Sequence, residues 1–257
     1  RDIRSLQQSD TSNQAIVVGT VSNSITVWDF NGTNILTYPE NVLSPYLLSF
    51  IKDDYVIAGD PKQSLLKVWG VRTKESFKCQ SVAPGKILCL AVSPDAFFCA
   101  TGIANNIYLW NLASFRHIAK LERHYQAISV LVWSDDGTFL VSGGKDGLIL
   151  VWMVNKVVST FNSDDKKLEP DIIWSDHSLP ITSIHLGRGG LRSRVYSCSI
   201  DCTCKVYDIS HKQLLLTFVF SCQPTYLVSD PGETSLFVGC KKGHIHPISL
   251  MDQVAIL

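Results

Sequence analysis

The stretch LVSGGKDGLILVW, Leu140 to Trp152, opens as an apolar strand, breaks at glycines around an Asp, and resumes as an apolar run ending in Trp. The pattern recurs. VYSCSIDCTCKVYD, Val195 to Asp208, sets Ser197 on Ser142, Asp201 on Asp146 and Tyr207 on Trp152. Weaker copies end at Trp28, Trp69 and Trp110, and a last one, LFVGCKKGHIHPIS, puts Ile248 in the Trp position. Positions 28, 69, 110, 152, 207 and 248 are separated by 41, 41, 42, 55 and 41 residues, which defines an internal repeat.

Each unit holds four short apolar or alternating runs divided by turn residues. In the fourth they are AISVLVW, TFLVSGG, LILVW and VVSTF. Four strands in about 40 to 45 residues is the pattern of a β-propeller blade of the WD-repeat kind. Glycines 143, 144 and 147 are read as giving the backbone freedom at the turn, and the β-branched runs suit buried strands. No helical period of comparable length is present. The fold expected is therefore all-β: one partial WD-repeat propeller over 1–257, with units at about 16–43, 44–85, 86–123, 124–176, 177–223 and 224–257. The one long interval contains the polar segment NSDDKKLEPD (162–171), which reads as a loop grown between two units.

Bulk properties exclude several classes. The 257 residues are 46% hydrophobic and 18% charged, enough to bury a large core. Lys+Arg and Asp+Glu both number 23, so no net field draws the chain to nucleic acid or an anionic surface. The longest apolar runs fall short of the roughly 20 residues a bilayer requires, so no membrane is expected among the partners. The opening RDIRSLQQSDTSNQ has no apolar signal region and no initial Met, which suggests a trimmed terminus. Most of the eight cysteines, including Cys89, Cys99, Cys198 and Cys240, lie in strand-like runs where a reduced thiol acts as a small hydrophobe, which points to an intracellular, reducing compartment.

His124 precedes Asp146 by 22 residues, and His177 precedes Asp201 by 24. Resemblance to a WD-repeat blade implies a bonded tetrad: His from the loop before the first strand, Ser on the second strand, Asp from the following turn, and Trp on the third strand. That assigns His124, Ser142, Asp146 and Trp152 to one tetrad and His177, Ser197, Asp201 and Tyr207 to another. A buried carboxylate needs such donors, a hydroxyl can donate and accept, and an indole only donates. No nucleophile-elbow G-x-S-x-G occurs and the set recurs at the blade period, so the expected role is structural and no catalytic residue is assigned. In the third unit the Ser and Asp positions read as Ala100 and Ala104, and units one, two and six are also degenerate.

The fourth and fifth units carry a narrower resemblance. RHYQAISVLVW, LVSGGKDGLILVW, WSDHSLPITSIHLG and DCTCKVYDISHKQLLLTFVF together resemble the WD-repeat subunit of the Rix-type pre-ribosome maturation complex, the family of WD repeat-containing protein 18 and fungal Ipi-type proteins. WDFNGTNILTYPE and GIANNIYLWNLASFRHIAKL fit the same pattern. The resemblance implies a non-enzymatic scaffold of the nucleus, in nucleolus and nucleoplasm. It would join a helical-repeat scaffold subunit, act on the pre-large-subunit ribosomal particle in internal spacer processing, and indirectly engage a Midasin-type AAA ATPase. It leaves direct RNA contact open. Fungal members also suggest a replication-licensing role. Family propellers have seven blades, so about five and a half are expected here and the chain is expected to be a fragment.

Other constellations are weaker. Arg188, Arg192 and Arg194 in GRGGLRSR could grip phosphate or an acidic segment, although three charges neutralise few phosphates. Cys198, Cys202 and Cys204, or Cys240 with His244 and His246, lack the paired spacing of structural zinc sites, so no metal and no cofactor is expected; Cys202 and Cys204 read as sharing one strand face. The 162–171 insert is placed on the same face as His124 and His177, where with Tyr125, Gln126, Ser178, Leu179 and Pro180 it would form a partner surface. The rival classes are a ubiquitin-ligase substrate receptor, which needs a ring-top pocket of Arg or aromatic residues, and a propeller hydrolase, which needs a nucleophile and base off the blade period. Neither set can be placed in the sequence.

Overall fold

The computed structural model describes residues 3–8, 16–21, 24–29, 33–38, 47–51, 55–60, 64–70, 79–160 and 168–250. They form two compact units, Arg1–Lys120 and Leu121–Leu257.

The first unit contains three four-stranded antiparallel meanders. They are β1 (Ile3–Gln8), β2 (Ile16–Val21), β3 (Ser24–Asp29) and β4 (Asn34–Tyr38); β5 (Leu48–Ile51), β6 (Tyr55–Asp60), β7 (Leu65–Gly70) and β8 (Cys79–Val82); and β9 (Ile87–Val92), β10 (Phe98–Ile103), β11 (Asn106–Asn111) and β12 (Arg116–Glu122). β1 pairs with β2, so the first sheet is a full meander starting at Ile3, ahead of the position 16 read from sequence. IRSLQQ has no regular apolar alternation, which hid it. The second and third sheets share a core of Leu47, Ile57, Leu66, Ile87, Cys99 and Trp110.

The second unit contains two more four-stranded meanders and a three-stranded one. They are β13 (Ile128–Trp133), β14 (Phe139–Gly144), β15 (Ile149–Met153) and β16 (Ile172–Trp174); β17 (Ile181–Leu186), β18 (Arg194–Ser199), β19 (Thr203–Asp208) and β20 (Gln213–Val219); and β21 (Pro224–Ser229), β22 (Ser235–Cys240) and β23 (Ile245–Ser249). All-β sheets of this size and order, one per repeat, are propeller blades in topology. The fifth is buried on both faces. Val195 and Tyr207 pack toward the fourth sheet with Phe139, Ile149 and Trp174, while Tyr196, Cys198, Cys204 and Val206 pack toward the sixth with Leu227, Leu236 and Val238. Strand alternation produces this division, and each such side chain fully buried is worth about 1.5–3 kcal/mol.

The repeat register is uniform. Trp28, Trp69, Trp110, Trp152, Tyr207 and Ile248 each sit on the third strand of a sheet, opposite Val17, Val56, Cys99, Leu140, Val195 and Leu236.

The fourth blade departs from the sequence reading. VNKVVST forms α1 (Val154–Thr160), and the fourth strand is Ile172–Trp174, beyond the insert. The expected fourth strand at VVSTF is therefore wrong in place. Valines favour strands, but Val154 and Val157 are three apart and both buried, so one helical face covers the sheet end. The insert thus lies inside one blade rather than between two; residues 162–167 lie outside the described residues, and Asp171 holds its far end by accepting from Met153 N at 3.0 Å and pairing with Lys156.

Candidate functional site

Antiparallel pairing gives the fourth and fifth blades two distinct ends. At one, β14 turns into β15 between Gly143 and Ile149; at the other, Phe139 pairs Met153, and both the 134–138 turn and the 154–171 link emerge. His124 and Asp146 meet at the first end. The insert leaves from the second end, and Glu169 near its far end pairs with Arg123, the residue before His124, at 3.7 Å.

The structure brings all four fourth-blade residues together. His124 Nδ1 lies 3.0 Å from Asp146 Oδ2, its Nε2 lies 2.9 Å from Ser142 Oγ, and Trp152 Nε1 donates to the same oxygen at 3.2 Å. His124, Ser142 and Trp152 are buried. Burial alone would raise the Asp146 pKa; the His124 ring and the Tyr125 and Leu148 N–H groups outweigh it and hold the carboxyl below the usual carboxylate range. These bonds tie the loop before β13 to the second and third strands.

The fifth blade repeats the arrangement with changes. His177 Nδ1 lies 2.9 Å from Asp201 Oδ2 and Nε2 lies 2.7 Å from Ser197 Oγ. Burial lowers the His177 pKa, against the opposing pull of Asp201. Thr203, overlooked in the sequence, adds a hydroxyl that donates to Asp201 Oδ1 at 2.6 Å and lies 3.2 Å from His177 Nδ1. Tyr207 stacks on Trp174 with centroids 4.5 Å apart. Its hydroxyl is near Ser197 and Asp176 yet closes no hydrogen bond of ordinary geometry, so this tetrad lacks its fourth link.

A second hydroxyl–indole pair occurs in the first unit. Trp110 Nε1 donates to Thr101 Oγ1 at 2.9 Å, and Thr101 is fully buried. The Ser position of the third blade is therefore Thr101, not Ala100. Counting back from Trp110 slips by one because this turn is shorter: Ile103 pairs Asn106 directly.

Glycines 143 and 144 do not supply a positive φ; among the three turn glycines only Gly147 does, at +79°. A Cβ on Gly144 would collide with Asp146 Oδ1 and lie 2.6 Å from His124 Nδ1, so the clamp needs a bare backbone there. A Cβ on Gly147 would meet the His177 carbonyl at 2.6 Å.

Each clamp also shapes the surface above it. Asp146 Oδ2 accepts from Tyr125 N at 2.8 Å and Asp201 Oδ2 from Ser178 N at 3.2 Å. Leu179 and Pro180 carbonyls are held by Ser199 Oγ at 2.8 Å and Ile200 N at 3.0 Å. The backbone is thereby fixed while side chains point out: Tyr125 is 71% and Leu179 45% exposed, with Gln126 and Ser178 exposed beside them. Ser129 Oγ bridges the two blades, donating to Ile181 O at 2.7 Å and lying 3.1 Å from Gly143 O.

The arginines lie at the opposite end. Arg188 and Arg192 are exposed and Arg194 is half-buried near Tyr196. Their loop is tied by carboxylates: Gly189 and Gly190 N–H groups donate to Asp135 at 3.1 and 3.2 Å, and Arg188 N donates to Glu233 at 2.8 Å. With Asp135, Asp136 and Glu233 around it, this end is of mixed charge. Cys202 sits in the turn before β19, with φ +65°, and not on a strand face shared with Cys204.

Sheets with this register and these clamps define a chain of WD repeats. Residues 115–153 and 169–208 match the family described as WD domain, G-beta repeat. The second match starts at β16 of the fourth blade and ends at β19 of the fifth, so the sequence repeat is offset by one strand from the sheet.

The relatives are more particular. The chain is homologous to WD repeat-containing protein 18, with 34% identity to the protein of Rattus norvegicus over 90% of this chain and 53% of the relative. It is likewise 32% identical to Pre-rRNA-processing protein IPI3 of Yarrowia lipolytica, over 86% of this chain and 53% of that one. With Pre-rRNA-processing protein crb3/ipi3 of Schizosaccharomyces pombe, identity is 31% over 67% of this chain and 40% of the relative. The chain spans about half the length of the curated relatives it matches.

Proposed function

We propose that this chain is part of a non-enzymatic WD-repeat scaffold in ribosome biogenesis, serving pre-rRNA processing in the nucleus. The observation that carries this is homology over most of the chain to proteins named for pre-rRNA processing. The geometry supports a binding role: the His, Asp and Ser side chains that could suggest hydrolysis are spent on backbone and on one another, and the hydroxyls of Ser142 and Ser197 are buried.

In this reading the clamped end of the second unit is the recognition surface. Tyr125 supplies a rigid amphipathic anchor and Leu179 an apolar contact beside it, with Gln126, Ser178 and Pro180 around them. Its partner is a helical-repeat subunit of a Rix-type complex, through which the pre-large-subunit particle and, indirectly, a Midasin-type AAA ATPase are reached. Arg188, Arg192 and Arg194 at the other end are a secondary contact for an acidic segment or phosphate.

The test is affinity purification of the tagged full-length protein, followed by northern analysis of spacer-containing rRNA precursors after its depletion. Recovery of large-subunit precursors, with spacer intermediates that accumulate and are cleared by the wild type but not by a Tyr125→Ala, Leu179→Ala double variant, is expected. Unchanged precursors after depletion refute the function; full rescue by the double variant refutes the surface.

A further inference from the structure

The sixth blade abandons the clamp at every position. Its register puts Phe220, Val238, Lys242 and Ile248 where the fourth blade has His124, Ser142, Asp146 and Trp152. These four side chains cannot form a hydrogen-bonded tetrad. Three soft donors converge at the same end instead: one ligand atom each from Cys222, Cys240 and His246, all within 4.8 Å of one another. They come from the segments the tetrad joins elsewhere, namely the loop before the first strand, the end of the second strand, and the third strand.

Cys222 and Cys240 are buried, at 7% and 5% exposure. His246 Nε2 is enclosed and has no hydrogen-bond partner among the described residues. Leaving such a nitrogen unpaired costs about 1–3 kcal/mol, and thiols are poor partners for it. Two sulfurs and an imidazole are the donor set that zinc selects. In a tetrahedral site with Zn–S near 2.3 Å the sulfurs stand about 3.8 Å apart, so the observed cluster needs to contract by only about 1 Å.

We propose that Cys222, Cys240 and His246 bind a zinc ion that fastens the sixth blade in place of the tetrad. Each thiol releases its proton to solvent on binding, leaving Zn²⁺ with two thiolates and a neutral imidazole, a set with no net charge that suits a buried position. Water completes the tetrahedron. Spacing could not reveal this site, since the ligands are 18 and 6 residues apart.

The experiment is elemental analysis of the full-length chain purified without chelator, then zinc removal and titration with Co²⁺. About one zinc per chain is expected, with a thiolate-to-cobalt charge-transfer band whose intensity counts two sulfurs. Saturating zinc should raise the thermal midpoint of the stripped protein by about 5–10 °C. His246→Gln and the Cys222→Ser, Cys240→Ser pair should abolish the band. Wild-type protein with no metal and no cobalt band overturns the proposal, as does a band that survives the double Ser variant. A Cys222–Cys240 disulfide in metal-free protein overturns it too. The cobalt spectrum of the wild type needs no variant to fold, and none of these outcomes depends on the ribosomal reading.

Discussion

Replacing Asp146 by Ala removes an acceptor that serves three donors: His124 Nδ1 at 3.0 Å, Tyr125 N at 2.8 Å and Leu148 N at 3.1 Å. The His124 and Asp146 side chains are 1% and 5% exposed, so the imidazole cannot turn to water. Losing a charge-assisted bond in that setting costs about 1.5–3 kcal/mol. The two backbone N–H groups lie at the loop edge, where water replaces the carboxylate at about 0.5 kcal/mol each. The total is about 3 kcal/mol, a large part of the 5–15 kcal/mol that typically holds a domain together. At about 2–4 °C per kcal/mol for a chain of this size, the thermal midpoint should fall by about 6–12 °C. Urea unfolding followed by tryptophan fluorescence is the assay, because Trp152 donates into the clamp. Asp146→Asn, which keeps one acceptor oxygen, should lose about half as much. His211→Ala, at a side chain 72% exposed, is the control and should move stability by no more than about 0.5 kcal/mol. If Asp146→Ala tracked that control, the clamp would hold nothing and the account of these blades would fail.

Three further outcomes follow from the same geometry. Gly144→Ala drives a methyl into Asp146 and His124 and should destabilise about as much as Asp146→Ala; a neutral result by urea unfolding would contradict the packing. Trp110→Phe frees the Thr101 hydroxyl, which keeps only a long bond to Tyr108 O at 3.4 Å, and should cost about 1–2 kcal/mol, with Thr101→Val in the same background adding little. Acid should destabilise in two stages. The His177 pKa lies below its ordinary 6.5 in the fold, so its contribution is full above that pH and shrinks as pH falls, the unfolded chain taking up the proton. Asp146 and Asp201 lie below their ordinary 3.8, so their contribution is full above that value and is lost as pH falls through and below it. Urea midpoints that rose between pH 7 and 5 would reverse the assigned sign.

The repeat and its third-strand aromatic position were legible because Trp is rare and its spacing survives even where the rest of a unit has drifted. The two His–Asp pairs were visible for another reason: their residue types are costly to bury alone. What escaped depends on tertiary context. VNKVVST has β-branched residues yet forms a helix, because Val154 and Val157 have a sheet end to cover. Thr101 was hidden by a one-residue change in turn length, and IRSLQQ by its mixed polarity. Which end of a blade a loop leaves from is fixed by strand parity, and one misplaced strand hid that the insert leaves from the end opposite His124. The Cys222, Cys240 and His246 group is set by pairing between strands rather than by spacing along the chain.

Asp146 and Asp201 hold the main chain of the residue after each histidine and ask nothing of its side chain. Evolution can therefore rewrite positions 125 and 178 freely: one blade of this chain displays a phenol there and its neighbour a bare hydroxyl, on the same hook. Paralogues that keep the His and Asp can thus diverge in what they recognise with no loss of foldability.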